Sequence, residues 1–210
     1  DDVWNLLRAN TRIPKLVLGD LEASIGACRT GGRRLIELCE DIGLTRLKAH
    51  IDYLLDATER QMQLELANIP EGHYSSEIVY RCDDGESIVD LTATLCILIK
   101  DGRISLDYEG SSPQTTHYYN CAFGTTFAAA VAVVLMLVDP DIPHNDGVLR
   151  CIDVKAPVGS FLNCSFPAPC VQGNFTASDV AGDSIFSALA EVAPDRVCAG
   201  WSRSESHLLK

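Results

Sequence analysis

Residues 88–108 read Ile88-Val89-Asp90-Leu91-Thr92-Ala93-Thr94-Leu95-Cys96-Ile97-Leu98-Ile99-Lys100-Asp101-Gly102-Arg103-Ile104-Ser105-Leu106-Asp107-Tyr108. Apolar side chains recur here at every second position, the period of a half-buried strand, and Asp101-Gly102 is placed as a two-residue hairpin turn. That turn sets Ile99 opposite Ile104, Ile97 opposite Leu106 and Leu95 opposite Tyr108. A second Asp-Gly, Asp84-Gly85, sets Tyr80 opposite Val89 and Ile78 opposite Leu91. Every pair is apolar, while Ser105, Asp107 and Glu109 share the other face. Two independent turns therefore predict one apolar face on a three-stranded antiparallel β-meander.

Upstream, Pro70-Glu71-Gly72 closes a region whose period is helical. Val3 to Arg8 read as a helix end, Asn10 and Thr11 break it, and Pro14 suits the first turn of the next helix. Leu21, Ile25, Cys28, Leu35 and Cys39 form an amphipathic stripe, interrupted or strained at Gly31-Gly32. Gly43 is a C-terminal stop and Thr45 an N-cap. Leu47, Ile51, Leu54, Leu55, Thr58, Met62, Leu66 and Ile69 then mark a stronger stripe. The short connection predicts an antiparallel helical hairpin, a core layer by default and otherwise an arm for a partner subunit.

Downstream, the loop Gly110-Ser111-Ser112-Pro113-Gln114 leads to an uncharged apolar run, Cys121 to Val138, introduced by Tyr118-Tyr119-Asn120. The run ends in Asp139-Pro140-Asp141-Ile142-Pro143-His144-Asn145-Asp146-Gly147, a rigid polar loop. The stretch Tyr118 to Val138 is just about long enough to span a bilayer, but Asn120, Gly124, Thr125 and Thr126 and the lack of cationic flanks favour a buried core helix. A strand is expected over Val148 to Lys155, a Pro/Gly-rich crossing over Pro157 to Pro169, and a last helix over Ser178 to Val192 capped by Ser178 or Thr176. The fold class is α+β: helical hairpin, antiparallel meander, buried core helix and a further strand/helix layer. The expected organisation is a helical region 1–72, an α+β region 73–200 and a polar tail 201–210.

The 210 residues suffice for a sizeable core, and 47% hydrophobic with 22% charged residues is ordinary for a globular chain. A formal charge of -12 argues against a nucleic-acid face; the basic spot Arg29 to Arg34 reads as a solvated helix face. Nine cysteines, an odd number with no C-x-x-C pair, read as reduced and mostly buried thiols of a cytoplasmic protein. Asn163-Cys164-Ser165 and Asn174-Phe175-Thr176 match the glycosylation triplet but carry little weight without a secretory signal. The start at Asp1-Asp2 without Met suggests a piece of something longer.

No Walker loop, G-x-G-x-x-G, G-x-S-x-G or H-E-x-x-H is present. His144 with Asp146 could supply two metal ligands, but no third is near, and a solvent-facing loop histidine is the simpler reading. His117 is either a general base or a satisfied, partly buried histidine. Asn120, Asn145 and Asn174 each stand beside Gly, Pro or a helix end, where amides fix turns; the functional alternative is orientation of a polar substrate. These three and His144 are the candidate cavity residues, and no residue is assigned as catalytic or as a metal ligand.

Several stretches in order resemble the hydantoinase B, or oxoprolinase B-type, subunits. They are Arg8-Ala9-Asn10-Thr11-Arg12-Ile13-Pro14 with Leu18-Gly19-Asp20-Leu21, Gly32-Arg33-Arg34-Leu35, and Asp107-Tyr108-Glu109-Gly110-Ser111-Ser112-Pro113-Gln114. Asp139 to Gly147 with Arg150, and Phe166-Pro167-Ala168-Pro169 with Gly173-Asn174, complete the set. The resemblance implies part of a B-type subunit in a heteromeric, ATP-dependent enzyme that opens cyclic amides such as hydantoins or 5-oxoproline. Acetone and acetophenone carboxylases share the architecture, which makes a ketone carboxylase the alternative. An A-type partner subunit is expected to handle ATP, and a divalent metal is expected on a His- and Asp-rich segment upstream of the region represented here. On this reading the chain alone is inactive, and a non-catalytic assembly module is the remaining alternative.

Overall fold

The computed structural model describes residues 2–83, 88–171 and 173–200, with the Asp83 side chain left aside. The chain divides into two compact units, Asp1–Tyr53 and Leu54–Lys210. The first holds α1 (Asp2–Ala9), α2 (Pro14–Ile42) and the start of α3 (Leu44–Leu66). Pro14 opens α2 as expected, because its fixed φ and missing N–H cost nothing in a first turn. The helix then runs unbroken through Gly31 and Gly32, which overturns the expected interruption: two glycines only weaken a helix whose remaining turns hold.

Gly43, with φ 84° and ψ 138°, ends α2 and begins α3. Its N–H donates to the Cys39 carbonyl at 2.9 Å and its carbonyl accepts from the Leu47 N–H at 3.0 Å. The cap position before α3 is thus Gly43, and Thr45 lies inside the helix rather than capping it. The two helices follow at once, but within this unit their apolar stripes are not a core layer, whereas the later turns of α3 are. Leu18 and Leu47 are the buried hydrophobics among the described residues of this unit, and Leu21, Ile25 and Leu35 are exposed.

The second unit contains the core. It begins with the end of α3, where Thr58, Met62 and Leu66 are buried, followed by Ile69. Strands β1 (Gly72–Asp83), β2 (Ile88–Lys100) and β3 (Arg103–Asp107) pair antiparallel, and β4 (Ile152–Lys155) joins β3 in parallel to give the order β1-β2-β3-β4. The β2–β3 register is the expected one, with Ile99 opposite Ile104 and Ile97 opposite Leu106. Asp101 (φ 52°) and Gly102 (φ 67°) both take the left-handed conformation of a type I′ turn.

The β1–β2 register differs from expectation by two residues: Tyr80 faces Leu91 and Cys82 faces Val89. The Asp84-Gly85 turn itself falls outside the described residues, but Asp83 opposite Ile88 leaves residues 84–87 as the connection. A slip of two keeps every side chain on its face, so the alternating pattern fixes the face without fixing the register. Along β2, Leu91, Ala93, Leu95, Ile97 and Ile99 are buried.

Parallel pairing of β3 with β4 requires a crossover, and α4 (Phe123–Met136) lies in it. This is the expected core helix, and it buries Thr126, Ala130, Val133 and Val134. Its other side, Gly124, Ala128, Ala132 and Met136, is exposed although it carries no charge. The expected strand Val148 to Lys155 is shortened, because a one-turn helix α5 (Asp146–Leu149) takes its first residues. The last helix, α6 (Ala177–Leu189), packs on β1, β2 and α4 and is buried almost all round. Thr176 stands at its N-cap position without a side-chain cap bond, so the expected hydroxyl cap is not made. Small residues Ala181, Gly182 and Ser184 let α6 lie close to the sheet; the Tyr108 hydroxyl donates to the Ala181 carbonyl at 2.9 Å and the Ser76 hydroxyl to the Ser184 carbonyl at 2.7 Å. Among the described residues no helix is long and apolar enough to cross a membrane.

Candidate functional site

Two loops between β3 and α6 interlock at the N-terminal end of α4. The Gln114 N–H donates to Gly159 O at 2.7 Å, Phe161 N–H to Ser112 O at 3.1 Å, and Ser165 N–H to the Gln114 side-chain oxygen at 2.7 Å. Cys121 accepts from the Cys164 N–H at 3.0 Å and donates its own N–H to Phe161 O at 2.7 Å. The Thr126 hydroxyl donates to the Leu162 carbonyl, pinning the first turn of α4 to the same loop.

Asn120 is fully buried at the centre of this arrangement. Its Oδ1 accepts from the Thr115 N–H at 2.7 Å, and its Nδ2 reaches the carbonyls of Thr115, His117 and Pro169 at 3.0, 2.8 and 2.9 Å. Both amide hydrogens are therefore engaged by backbone. Gly173 packs directly on Asn120 and Cys121: a Cβ there would fall inside contact distance of the Asn120 carbonyl. Asn174 follows at the surface, exposed, just before α6. The fold thus brings together the segments carrying Asn120 and Asn174.

Asn145 is placed elsewhere. It N-caps α5, its Oδ1 accepting from Gly147 N–H at 2.8 Å, while its Nδ2 donates to the Thr58 hydroxyl at 2.9 Å. Gly147 lies so close to α3 that a Cβ would collide with the Leu55 carbonyl and Thr58. His144 beside it is exposed. Arg150 continues this seam, bonding Asp56 at 2.8 Å and Glu59 at 3.1 Å, and Arg103 bonds Glu59 at 3.1 Å. These ion pairs tie α3 to the sheet; without a pairing motif in the sequence, they could not be read from it.

Burial, offset in part by the Thr126 hydrogen bond, pushes the Cys121 thiol up to about 11. Burial also raises Tyr108, while the hydrogen bond with Tyr118 is the first cause that raises Tyr119. None of these is an activated nucleophile. All nine cysteines are free, but Cys28, Cys96, Cys170 and Cys198 are exposed, so the expectation of mostly buried thiols is corrected: α2 and the outer sheet face are open. Among the described residues no three His, Cys, Asp or Glu side chains converge as a metal site. No step is assigned to a metal on the described residues.

Around the interlocked loops Val158, Phe166 and Val171 stand out into solvent, Phe166 with 98% of its surface exposed. A saturated polar floor with apolar tips around it is suited to being one wall of a cavity or interface, not a self-contained catalytic centre.

The hydantoinase B/oxoprolinase family profile matches residues 1–209. The caprolactamase subunit beta of Pseudomonas jessenii is 33% identical over 205 residues, covering 97% of this chain and 35% of the relative. The crystal structure of the ATP-dependent caprolactamase from Pseudomonas jessenii superposes with a TM-score of 0.86 at 32% identity, over 95% of this chain and 34% of that one. Nucleotide-free acetone carboxylase shares the fold at 18% identity, with a TM-score of 0.79 over 96% of this chain and 29% of the other. The chain spans about a third of the length of these relatives.

Proposed function

The chain belongs to the hydantoinase B/oxoprolinase family, and from that premise we propose that it is part of the B-type subunit of a heteromeric, ATP-dependent hydrolase of cyclic amides. The observation that supports this most is the likeness to caprolactamase, whose name states both ATP dependence and a cyclic amide substrate. An amide carbon is a poor electrophile. Transfer of the γ-phosphoryl group to the amide oxygen releases ADP and leaves a phosphorylated imidate; one water adds at the carbon, the ring C–N bond breaks as the nitrogen leaves protonated, and a second water hydrolyses the resulting acyl phosphate to carboxylate and phosphate. An A-type subunit binds ATP, and the enzyme works in the cytoplasm, where reducing conditions keep the free cysteines as thiols. In this chain the loops with Asn120 and Asn174 form one cavity wall, and the Asn145–His144 loop, which packs on α3, is not part of it. The uncharged outer side of α4 accounts for the need of further polypeptide around this region.

The test is reconstitution of the full reading frame with an A-type partner. Phosphate release that depends on a ring substrate, over hydantoins, 5-oxoproline and lactams, is the expected result. Release with acetone or acetophenone and bicarbonate instead would move the chain to the carboxylases. No substrate-dependent ATP cleavage with any of them, in a stably assembled complex, would leave an assembly module. Asn174→Ala tests the wall: a raised KM at unchanged thermal stability supports it, and unchanged kinetics removes Asn174 from it.

A further inference from the structure

Among the described residues the first unit leaves a long helix face exposed, and the pattern of that face identifies what fits it. On α2, Leu18, Leu21, Ile25, Cys28, Gly32 and Leu35 recur at alternating steps of three and four, and Cys39 and Ile42 continue the series. This is the 3.5-residue period of a coiled-coil seam, sustained over the helix and free of charge. α1 packs near one end, where Leu18 is buried. From Leu21 to Leu35 the seam is exposed, and a Cβ at Gly31 or Gly32 would meet nothing within 4 Å.

We propose that this seam is a self-recognition surface on which a second copy of the chain packs its own α2 antiparallel. Two features select that occupant. Glu22 and Arg29 lie seven residues apart on the same flank of the seam. Reversing one helix brings Glu22 beside Arg29 of the second copy and Arg29 beside its Glu22. A parallel, in-register pair matches neither charge, because the residues that would face them are Val17 and Ser24. The second feature is size. Antiparallel layering sets Leu21 over Gly32 of the second copy and Ile25 over its Cys28, large against small at both places. The parallel pair would stack Gly32 on Gly32 and leave a void.

Sedimentation velocity of the whole chain across a concentration series reads the outcome, with circular dichroism checking helix content in each variant. The expected result is a particle of twice the chain mass that reverts to monomer on dilution. Ile25→Lys, at an exposed position, abolishes it. Glu22→Arg and Arg29→Glu each weaken it on the order of tenfold, since two facing pairs turn repulsive, and the double variant restores it. A monomer at every concentration overturns the proposal, including a monomer whose α2 is covered only when an A-type subunit is added. A dimer indifferent to Ile25→Lys, or charge swaps without mutual rescue, overturns it equally.

Discussion

Strand β2 and helix α2 carry equally regular apolar repeats and meet opposite fates. Ile97 in β2 has 0% of its surface exposed, whereas Leu35 in α2 has 54%. The difference lies in what else the chain supplies. β2 has β1 and β3 at its sides, α6 on its inner face, and Tyr108 bonded through to the Ala181 carbonyl. α2 has α1 at one end and, among the described residues, no comparable layer along its length. An amphipathic period states that a face will be covered, but not that the same chain will cover it.

The largest expected effect that separates the two regions is truncation. Leu106→Ala should cost about 2–5 kcal/mol in denaturant unfolding, since the cavity left among sheet, α4 and α6 has nowhere to collapse. Leu35→Ala, measured where the chain is dilute and monomeric, should stay within about 0.5 kcal/mol. Equal losses would mean that α2 is packed after all.

Alkaline titration reaches the core alone. Cys121 is raised from 9.0 to about 11 in the folded chain, and Tyr108 is raised as well. The Cys121 contribution is complete below its unfolded value near 9 and is lost as pH rises through the folded one. Stability should fall by on the order of 2 kcal/mol from Cys121 alone across that window. Cys121→Ser should flatten the fall, and an unchanged profile would refute the assignment.

Asn145→Ala should cost about 1 kcal/mol through the lost cap of α5, with an added term because the Thr58 hydroxyl loses its partner. The smallest effect is kinetic. In native buffer, at a dilution where the chain is monomeric, Cys28 and Cys96 should react with a thiol reagent well before Cys82, Cys121 and Cys151. Early labelling of Cys121 would show that the interlocked loops open.

The sheet was legible where turn and pattern agreed: Asp101-Gly102 specified both conformation and register, and β2–β3 followed. Between β1 and β2 the reading of Asp84-Gly85 as a two-residue turn put the register two residues off, and a period of two cannot detect a slip of two. Val148 read as strand because an apolar residue after Asn-Asp-Gly fits either a strand or a one-turn helix; the Thr58 bond to Asn145 decides it, and Thr58 is distant in sequence. In the candidate site, the asparagines were visible as turn residues. That Asn120 engages three carbonyls, one of them at Pro169, depends on a loop 49 positions away. The exposure of Val158, Phe166 and Val171 could not be read, since a lone apolar residue in a loop has no period, although Phe166 stood in a family-like stretch.

Gly43 is a mechanical joint as well as a terminator. The 29-residue α2 meets α3 at this residue, so a change of about 10° there would carry the far end of a helix roughly 43 Å long through about 7 Å relative to α3. A side chain at residue 43 would resist the present φ of 84° and pull the joint toward another angle. Aim, more than strength, is what glycine gives at this position: it sets where the tip of the lever arrives.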